Sequence, residues 1–171
     1  MNMHQQNTQQ GIALVVSLIM LLLMTLLAIT SMNTTVLEEK MAGNYKDRNM
    51  AFQAAEAGVR AGENYLRTTT VLPVFDGSTA GLYQPTLTGA SRWDDSITDW
   101  SVSANVKEYT GTLAGLSSKP KYIIEELQAI PDSGGSVEAG VTTENRYYRI
   151  TSRAVGGTDS ALVMLQTTYK R

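Results

Sequence analysis

The residues best suited to chemistry in this sequence are three carboxylates placed close together, Asp94, Asp95 and Asp99, between Trp93 and Trp100. Oxygen ligands at short intervals are what Ca²⁺ binds in proteins. The segment lacks the ligand spacing and the glycine of an EF-hand loop, so a solvated turn is favoured over a calcium site, which stays open as the alternative. The two tryptophans are expected to be packing anchors, and no cofactor is expected.

Side chains that commonly act as nucleophiles, general bases or zinc ligands are scarce. The chain has no cysteine, and its one histidine is His4, near the N-terminus. If the polar N-terminal segment that contains His4 is removed as a leader, Ser-His-Asp and Cys-His catalysis and the usual zinc sites lack their essential residues. The formal net charge is −2, which argues against a dedicated nucleic-acid binder. We expect a protein that is not an enzyme and binds no nucleic acid.

A run of about twenty uncharged, mostly apolar residues, 12–31, follows a polar leader that ends at Gly11. As a helix it would span about 30 Å, which matches a bilayer core. It fits a removed secretory signal poorly, because no basic residue precedes it and no small-residue cleavage site follows it. A permanent anchor and a prepilin segment, cut between Gly11 and Ile12 and retained, both remain open. Three hydroxyl residues can bond to carbonyls of the same helix: Ser17, Thr25 and Thr30.

Apolar residues continue beyond this run at helical spacing, and no proline occurs before Pro73. The stripe consists of Leu37, Met41, Tyr45, Phe52, Ala55, Val59 and Leu66, with Arg48 and Gly62 on the same side. The pattern predicts one continuous or gently kinked helix over residues 12–66, in preference to an anchor and a separate helix that break at Gly43 and Asn44. Its apolar stripe is expected to pack against the rest of the protein.

The C-terminal part of the chain predicts a β-sheet. Four strands are predicted, at residues 100–107, 121–127, 146–155 and 161–169. Short turns imply an antiparallel sheet, with a five-residue hairpin loop before the last strand. The fold class is α+β: a long N-terminal helix, membrane-spanning in its first half, with a sheet of about four strands packed on its second half. Arg149 and Arg153 share one face and are expected to be solvated, in preference to forming a basic patch that binds DNA or an anionic surface.

The expected organisation has five parts. They are a leader (residues 1–11), a transmembrane and assembly helix (12–31), the amphipathic second half of the helix (32–67), an irregular connection (68–99) and a sheet head (100–171).

Two segments of the helix resemble PilX-type minor pilins of type IV pili. They read EEKMAGN, residues 38–44, and DRNMAFQAAEA, residues 47–57. The similarity is close over residues 11–65, and residues 147–171 resemble the closing hairpin of that family. The resemblance implies a pilin-like fold, and cleavage after Gly11 with N-methylation of Ile12 by an inner-membrane prepilin peptidase.

The same resemblance implies a set of assembly partners and residues. The apolar helix would lie in the inner-membrane lipid before assembly and pack against other minor pilins and the major pilin afterwards, with help from the inner-membrane assembly platform. The head would lie in the periplasm, and later in the pilus at the cell surface. The candidate assembly residues are Val16, Glu38, Glu39, Arg48 and Phe52.

The chain departs from that family at two positions. Gln10 stands where a lysine or arginine usually precedes the cut, so the usual positive charge that orients the segment is missing. Val16 stands at the fifth position after the cut, where most pilins have a glutamate that pairs with the amine of the neighbour ahead. One hypothesis is that this subunit lies at or near the leading end of the pilus, where no neighbour ahead needs a partner. The alternative is that other contacts suffice.

Three functions are compatible with these features. The favoured function is a minor pilin that initiates type IV pilus assembly, is incorporated near the fibre tip, and supports twitching motility and adhesion. The alternatives are a minor pseudopilin of type II secretion and a membrane-anchored adhesin or binding module.

Overall fold

The computed structural model describes residues 10–86, 89–128, 130–131 and 144–171. The chain forms two compact units, Met1–Gly43 and Asn44–Arg171. The predicted leader, apart from Gln10 and Gly11, lies outside the described residues.

A single helix, α1 (Gln10–Thr68), contains 59 residues. The prediction of one N-terminal helix is therefore confirmed, and Gly43 does not end it. The absence of proline keeps the backbone hydrogen bonds continuous, and several alanines in the second half favour helix. The helix ends at the first residue of Thr68-Thr69-Thr70, where the Thr69 N–H still donates to the Tyr65 carbonyl at 3.1 Å.

Among its described residues, the second unit contains seven strands. They are β1 (Leu82–Tyr83), β2 (Lys107–Glu108), β3 (Lys121–Glu126), β4 (Ile130–Pro131), β5 (Glu144–Asn145), β6 (Tyr147–Val155) and β7 (Leu162–Lys170). Five of them form the main sheet in the order β1-β3-β6-β7, with β2 also paired to β3, while β4 and β5 pair with each other. The α+β fold class is confirmed. The sheet is mixed, however, because β1 runs parallel to β3.

The strand predicted at residues 100–107 is wrong. Only Lys107 and Glu108 pair with β3, and residues 100–106 contain turns. The Asp99 carboxylate accepts hydrogen bonds from the Ser101 N–H at 2.8 Å and the Ser101 hydroxyl at 2.6 Å. Such local bonds offer the backbone a turn in place of a ladder, so alternating valines alone did not produce a strand.

The inner face of the sheet packs on the second half of α1, as expected, but the contacting stripe of the helix matches the predicted one only at Ala55, Gly62 and Leu66. The helix buries small residues and one leucine: Ala51, Ala54, Ala55, Gly58, Gly62 and Leu66. Tyr45 and Phe52 were predicted to face the sheet, but they are 74% and 48% exposed. At Gly58 and Gly62 the sheet comes too close to the helix for a larger side chain.

Two glycines show how close this approach is. A Cβ atom on Gly58 would overlap the Ser152 hydroxyl, and one on Gly62 would lie 2.7 Å from Ile150 Cγ2. Both neighbours lie on β6, on the face that turns towards the helix. The ridge of alanine and glycine therefore sets the distance between helix and sheet, and Leu66 joins the main core beyond it. That core contains Leu66, Phe75, Leu82, Tyr122, Ile124, Tyr148 and Ile150.

The outer face of the sheet is partly covered by the connection. Trp100 and Val106 bury Ile123 of β3 in a small second core. The Lys121 ammonium donates to the Trp100 carbonyl at 2.8 Å, which fixes this segment to the strand. The prediction that the tryptophans are packing anchors agrees with Trp100, whereas Trp93 is 45% exposed.

Candidate processing and assembly site

The predicted cleavage junction lies in the first turns of α1. No other part of the described chain comes within 4 Å of a Cβ built on Gly11, and Ile12 is 63% exposed. A peptidase needs this access to the bond between them. The geometry leaves the Gly11–Ile12 bond open within the described residues of the first unit, although the bond is helical there.

The apolar segment that follows is exposed along its length. Every residue of 12–31 is exposed in the described structure, and by length and composition the helix could cross a membrane. Hydroxyls in the segment are bonded within the helix, as predicted. The Oγ atoms of Ser17, Thr25 and Thr30 donate to carbonyls three or four residues earlier at 2.6–2.9 Å. A helix with this surface suits lipid or another apolar helix better than water.

Val16 lies within this apolar segment and is half exposed. The sequence has no charged residue from Ile12 to Leu37, and Glu38 is the first. The segment therefore offers no carboxylate to pair with a neighbour's amine.

The other candidate assembly residues are all exposed. Glu38 and Glu39 lie in the first unit, and Arg48 and Phe52 lie in the second. Arg48 and Phe52 are four residues apart, so they share a face of the helix. That face points away from the sheet, which leaves it available to other chains.

The structure identifies Asp47 as a key residue that sequence reasoning did not single out. Its carboxylate accepts a hydrogen bond from the Gly157 N–H at 2.5 Å, from the Thr158 N–H at 3.3 Å and from the Thr158 hydroxyl. A Cβ on Gly156 would overlap Asp47, so glycine is required there. Asp47 thus fixes the β6–β7 turn to the helix. Its partners lie 110 residues or more further along, so no local sequence signal reveals the contact.

The hydrogen bond from the Thr158 hydroxyl, more than those from the two backbone N–H groups, holds the pKa of Asp47 below its ordinary value. A lowered pKa in the folded state contributes stability above the unfolded-state pKa, and the contribution is lost as the pH falls through the folded-state pKa. We expect Asp47→Asn to lower the melting temperature at pH 7 and to flatten its decline below about pH 4. Thermal unfolding of the full chain in detergent from pH 7 to pH 3 measures both effects.

Asp76→Asn is the matched control for this experiment. The pKa of Asp76 is also lowered, chiefly by hydrogen bonding to the Ser78 side chain, but that partner is only two residues away. Such a local bond can persist in the unfolded chain, so the effect should be smaller. Equal effects of the two variants would contradict a specific role of Asp47 in holding the turn.

The three aspartates of the connection have separate partners. Asp94 accepts from Ser96 and Asp99 from Ser101, each within its own turn. Asp95 forms an ion pair with Arg153. Within the residues that the structure describes, no group of three or more candidate ligands is arranged for a metal ion.

Arg149 and Arg153 of β6 are both paired with carboxylates. Arg153 pairs with Asp95 and lies over the Trp100 ring, 5.8 Å from its centroid. Arg149 lies 3.7 Å from the carboxylate of Glu125, which is buried. Carboxylates of β3 and of the connection therefore neutralise part of the positive charge on this face. The prediction that Arg149 and Arg153 are solvated is wrong, because both are ion-paired and only partly exposed.

Comparison with known families supports the resemblance found in the sequence. A family model described as PilX N-terminal matches residues 10–60. The match spans the predicted cleavage junction, the apolar segment, Asp47 and the first alanines of the sheet-facing ridge. No curated protein and no solved structure shows a significant match to the chain.

Proposed function

Because residues 10–60 match the family model described as PilX N-terminal, we propose that this chain is a structural minor pilin of type IV pili that initiates pilus assembly and enters the fibre near its tip. One observation carries the proposal. An exposed, uncharged helix of membrane-spanning length begins at the Gly11–Ile12 junction, inside the family match. A helix of this kind can be held by lipid first and by other apolar helices later. The proposal includes no enzymatic activity.

The proposed partners follow from this use of the helix. They are a prepilin peptidase, the inner-membrane assembly platform, other minor pilins and the major pilin. The subunit would be anchored in the inner membrane with its head in the periplasm, and would support twitching motility and adhesion once assembled.

Mass analysis of the N-terminus tests the processing step. We expect the mature chain to begin at N-methylated Ile12, and we expect Gly11→Leu to retain the leader because the peptidase requires a small residue at the cut. Gly43→Leu is the control, since it makes the same change in an open helical position without touching the junction. An intact Met1 in the unchanged chain, or a cut beyond Thr30, would rule out the prepilin assignment.

The position at the leading end of the pilus is proposed from Val16. A carboxylate in an apolar environment is costly unless it is paired, and a leading subunit has no neighbour ahead to pair it. We therefore expect Val16→Glu to disturb the priming complex and to lower pilus number and twitching, whereas Val16→Leu preserves both. Unchanged assembly with Val16→Glu would show that the position carries no information about placement.

A further inference from the structure

The last strand of the main sheet, β7, has a free edge among the described residues. It pairs with β6 over nine residues, from Leu162 to Lys170, and no other strand of the described chain pairs with it. The opposite side of the sheet is different, because β1 and β2 together occupy the outer edge of β3. One side of the sheet is therefore closed and the other open.

The register shows which backbone groups of β7 are left over. The Arg171 N–H donates to the Arg146 carbonyl, and the Ala161 carbonyl accepts from the Gly156 N–H, each at 3.0 Å. Odd-numbered residues of β7 thus point their polar groups towards β6. In an antiparallel strand, the backbone N–H and C=O groups of alternate residues point to opposite edges. Five residues of β7 therefore direct these groups away from β6: Leu162, Met164, Gln166, Thr168 and Lys170.

This edge lacks the features that usually prevent edge-to-edge pairing. Natural edge strands are commonly short, bulged, or interrupted by proline or charge. The pairing of β7 with β6 is continuous, the strand has no proline, and its first charge is Lys170 at the end. Leu162 is 41% exposed. A nine-residue strand of this kind is a template for another strand.

We infer that the β7 edge binds the β7 edge of a second copy of this chain, antiparallel and centred on Gln166, to form one continuous sheet. This register pairs all nine residues. The outward polar groups of each copy meet those of the other, because even-numbered residues then lie opposite even-numbered residues. The inference concerns an interface beyond the proposed pilin function and does not depend on it.

The side chains and charges of β7 are complementary to themselves in this register. Tyr169 lies opposite Val163 of the second copy, an aromatic and β-branched pair of the kind that stabilises sheets. Lys170 lies opposite Leu162, so no two like charges face each other. Asp159, which is exposed just before β7, lies beyond Leu162, so the acidic end of one strand approaches the basic end of the other.

Disulfide trapping tests the register, and the absence of native cysteine makes the background clean. In the full chain, purified in detergent and mildly oxidised, Gln166→Cys should give a covalent dimer. The two Cα atoms of a directly opposed pair lie about 5.5 Å apart, within disulfide range. Thr168→Cys is the matched control on the same strand and face. Its two copies would be displaced by four residues, roughly 13 Å.

We expect dimer yields about tenfold higher for Gln166→Cys than for Thr168→Cys, because the second separation is out of disulfide range. A mixture of Thr168→Cys and Met164→Cys chains carrying different tags should cross-link as a heterodimer, because those residues face each other. Association through the membrane helices alone would give no such dependence on register. Equal yields for the two single variants, or none for either, would overturn the inference, and so would sedimentation of the unmodified chain as a monomer at the concentration used for trapping. None of these three results bears on N-terminal processing.

Discussion

Replacement of Gly62 by leucine is expected to destabilise the helix–sheet unit, Asn44–Arg171, by about 3 kcal/mol, at the upper end of the usual cost of overpacking. The position is buried, and a first added carbon would already lie 2.7 Å from Ile150 Cγ2. Ile150 is fully buried in the main core, so moving it aside would disturb the packing around it. The higher helix propensity of leucine offsets only about 1 kcal/mol of the clash. Thermal unfolding of the full chain in detergent should show a fall of roughly 10 °C.

Two further variants separate the clash from a general effect of leucine. Gly43→Leu makes the same change in the same helix, at a position with no neighbour within 4 Å, and should be neutral or slightly stabilising. Ile150→Ala removes the atoms that leucine would meet, so Gly62→Leu should cost less in that background than in the unchanged chain. A Gly62→Leu melting temperature equal to that of Gly43→Leu would mean that the glycine does not set the distance between helix and sheet.

The length of α1 could be predicted from the sequence, but the face it turns to the sheet could be predicted only in part. Length depends on local properties, namely apolar periodicity, alanine content and the absence of proline. The face depends on how near the sheet comes. Phe52 and Tyr45 dominate any hydrophobic pattern because they are large, yet both are exposed. Ala51, Ala54 and Gly58, which the predicted stripe leaves out, are buried instead. Small residues give a weak apolar signal, and their role becomes visible only when the opposing strand is in place.

The strands of the sheet were also predicted only in part. The long strands β3, β6 and β7 were predicted because their alternation and β-branched residues are local features. The two-residue strands β1 and β2 were not, since each exists only through pairing with β3, and β1 lies about forty residues before its partner. Asp47 is a similar case. Its helix was predicted and its turn was predicted, but nothing local joins a residue to partners 110 positions away.

Loss of the Arg149 side chain is expected to be the most damaging charge change in the head. Glu125 is only 2% exposed, and Arg149 lies 3.7 Å from it. Burial raises the pKa of Glu125, while the charges of Arg149 and Arg92 act to lower it. Arg149→Met therefore leaves a buried carboxylate with weaker compensation. We expect a cost of about 2 kcal/mol at pH 8, below the usual range for a fully buried pair because the arginine is partly exposed.

The dependence on pH distinguishes this charge effect from lost packing. A raised pKa in the folded state contributes stability below the unfolded-state pKa, and that contribution is lost as the pH rises through the folded-state pKa. Removing Arg149 raises the pKa of Glu125 further. The free energy of unfolding should therefore fall more between pH 4 and pH 8 in Arg149→Met than in the unchanged chain. Thermal unfolding at the two pH values measures the difference.

Two further variants serve as controls for Arg149→Met. Arg146→Met breaks the neighbouring pair with Glu126, whose side chains are 60% and 27% exposed, and should cost well under 1 kcal/mol because exposed pairs contribute little. Glu125→Gln removes the buried charge, so adding Arg149→Met to it should cost little at either pH. If Arg149→Met were equally costly with glutamate or glutamine at position 125, the arginine would act through its packing over the sheet, and the buried carboxylate would not be what makes it necessary.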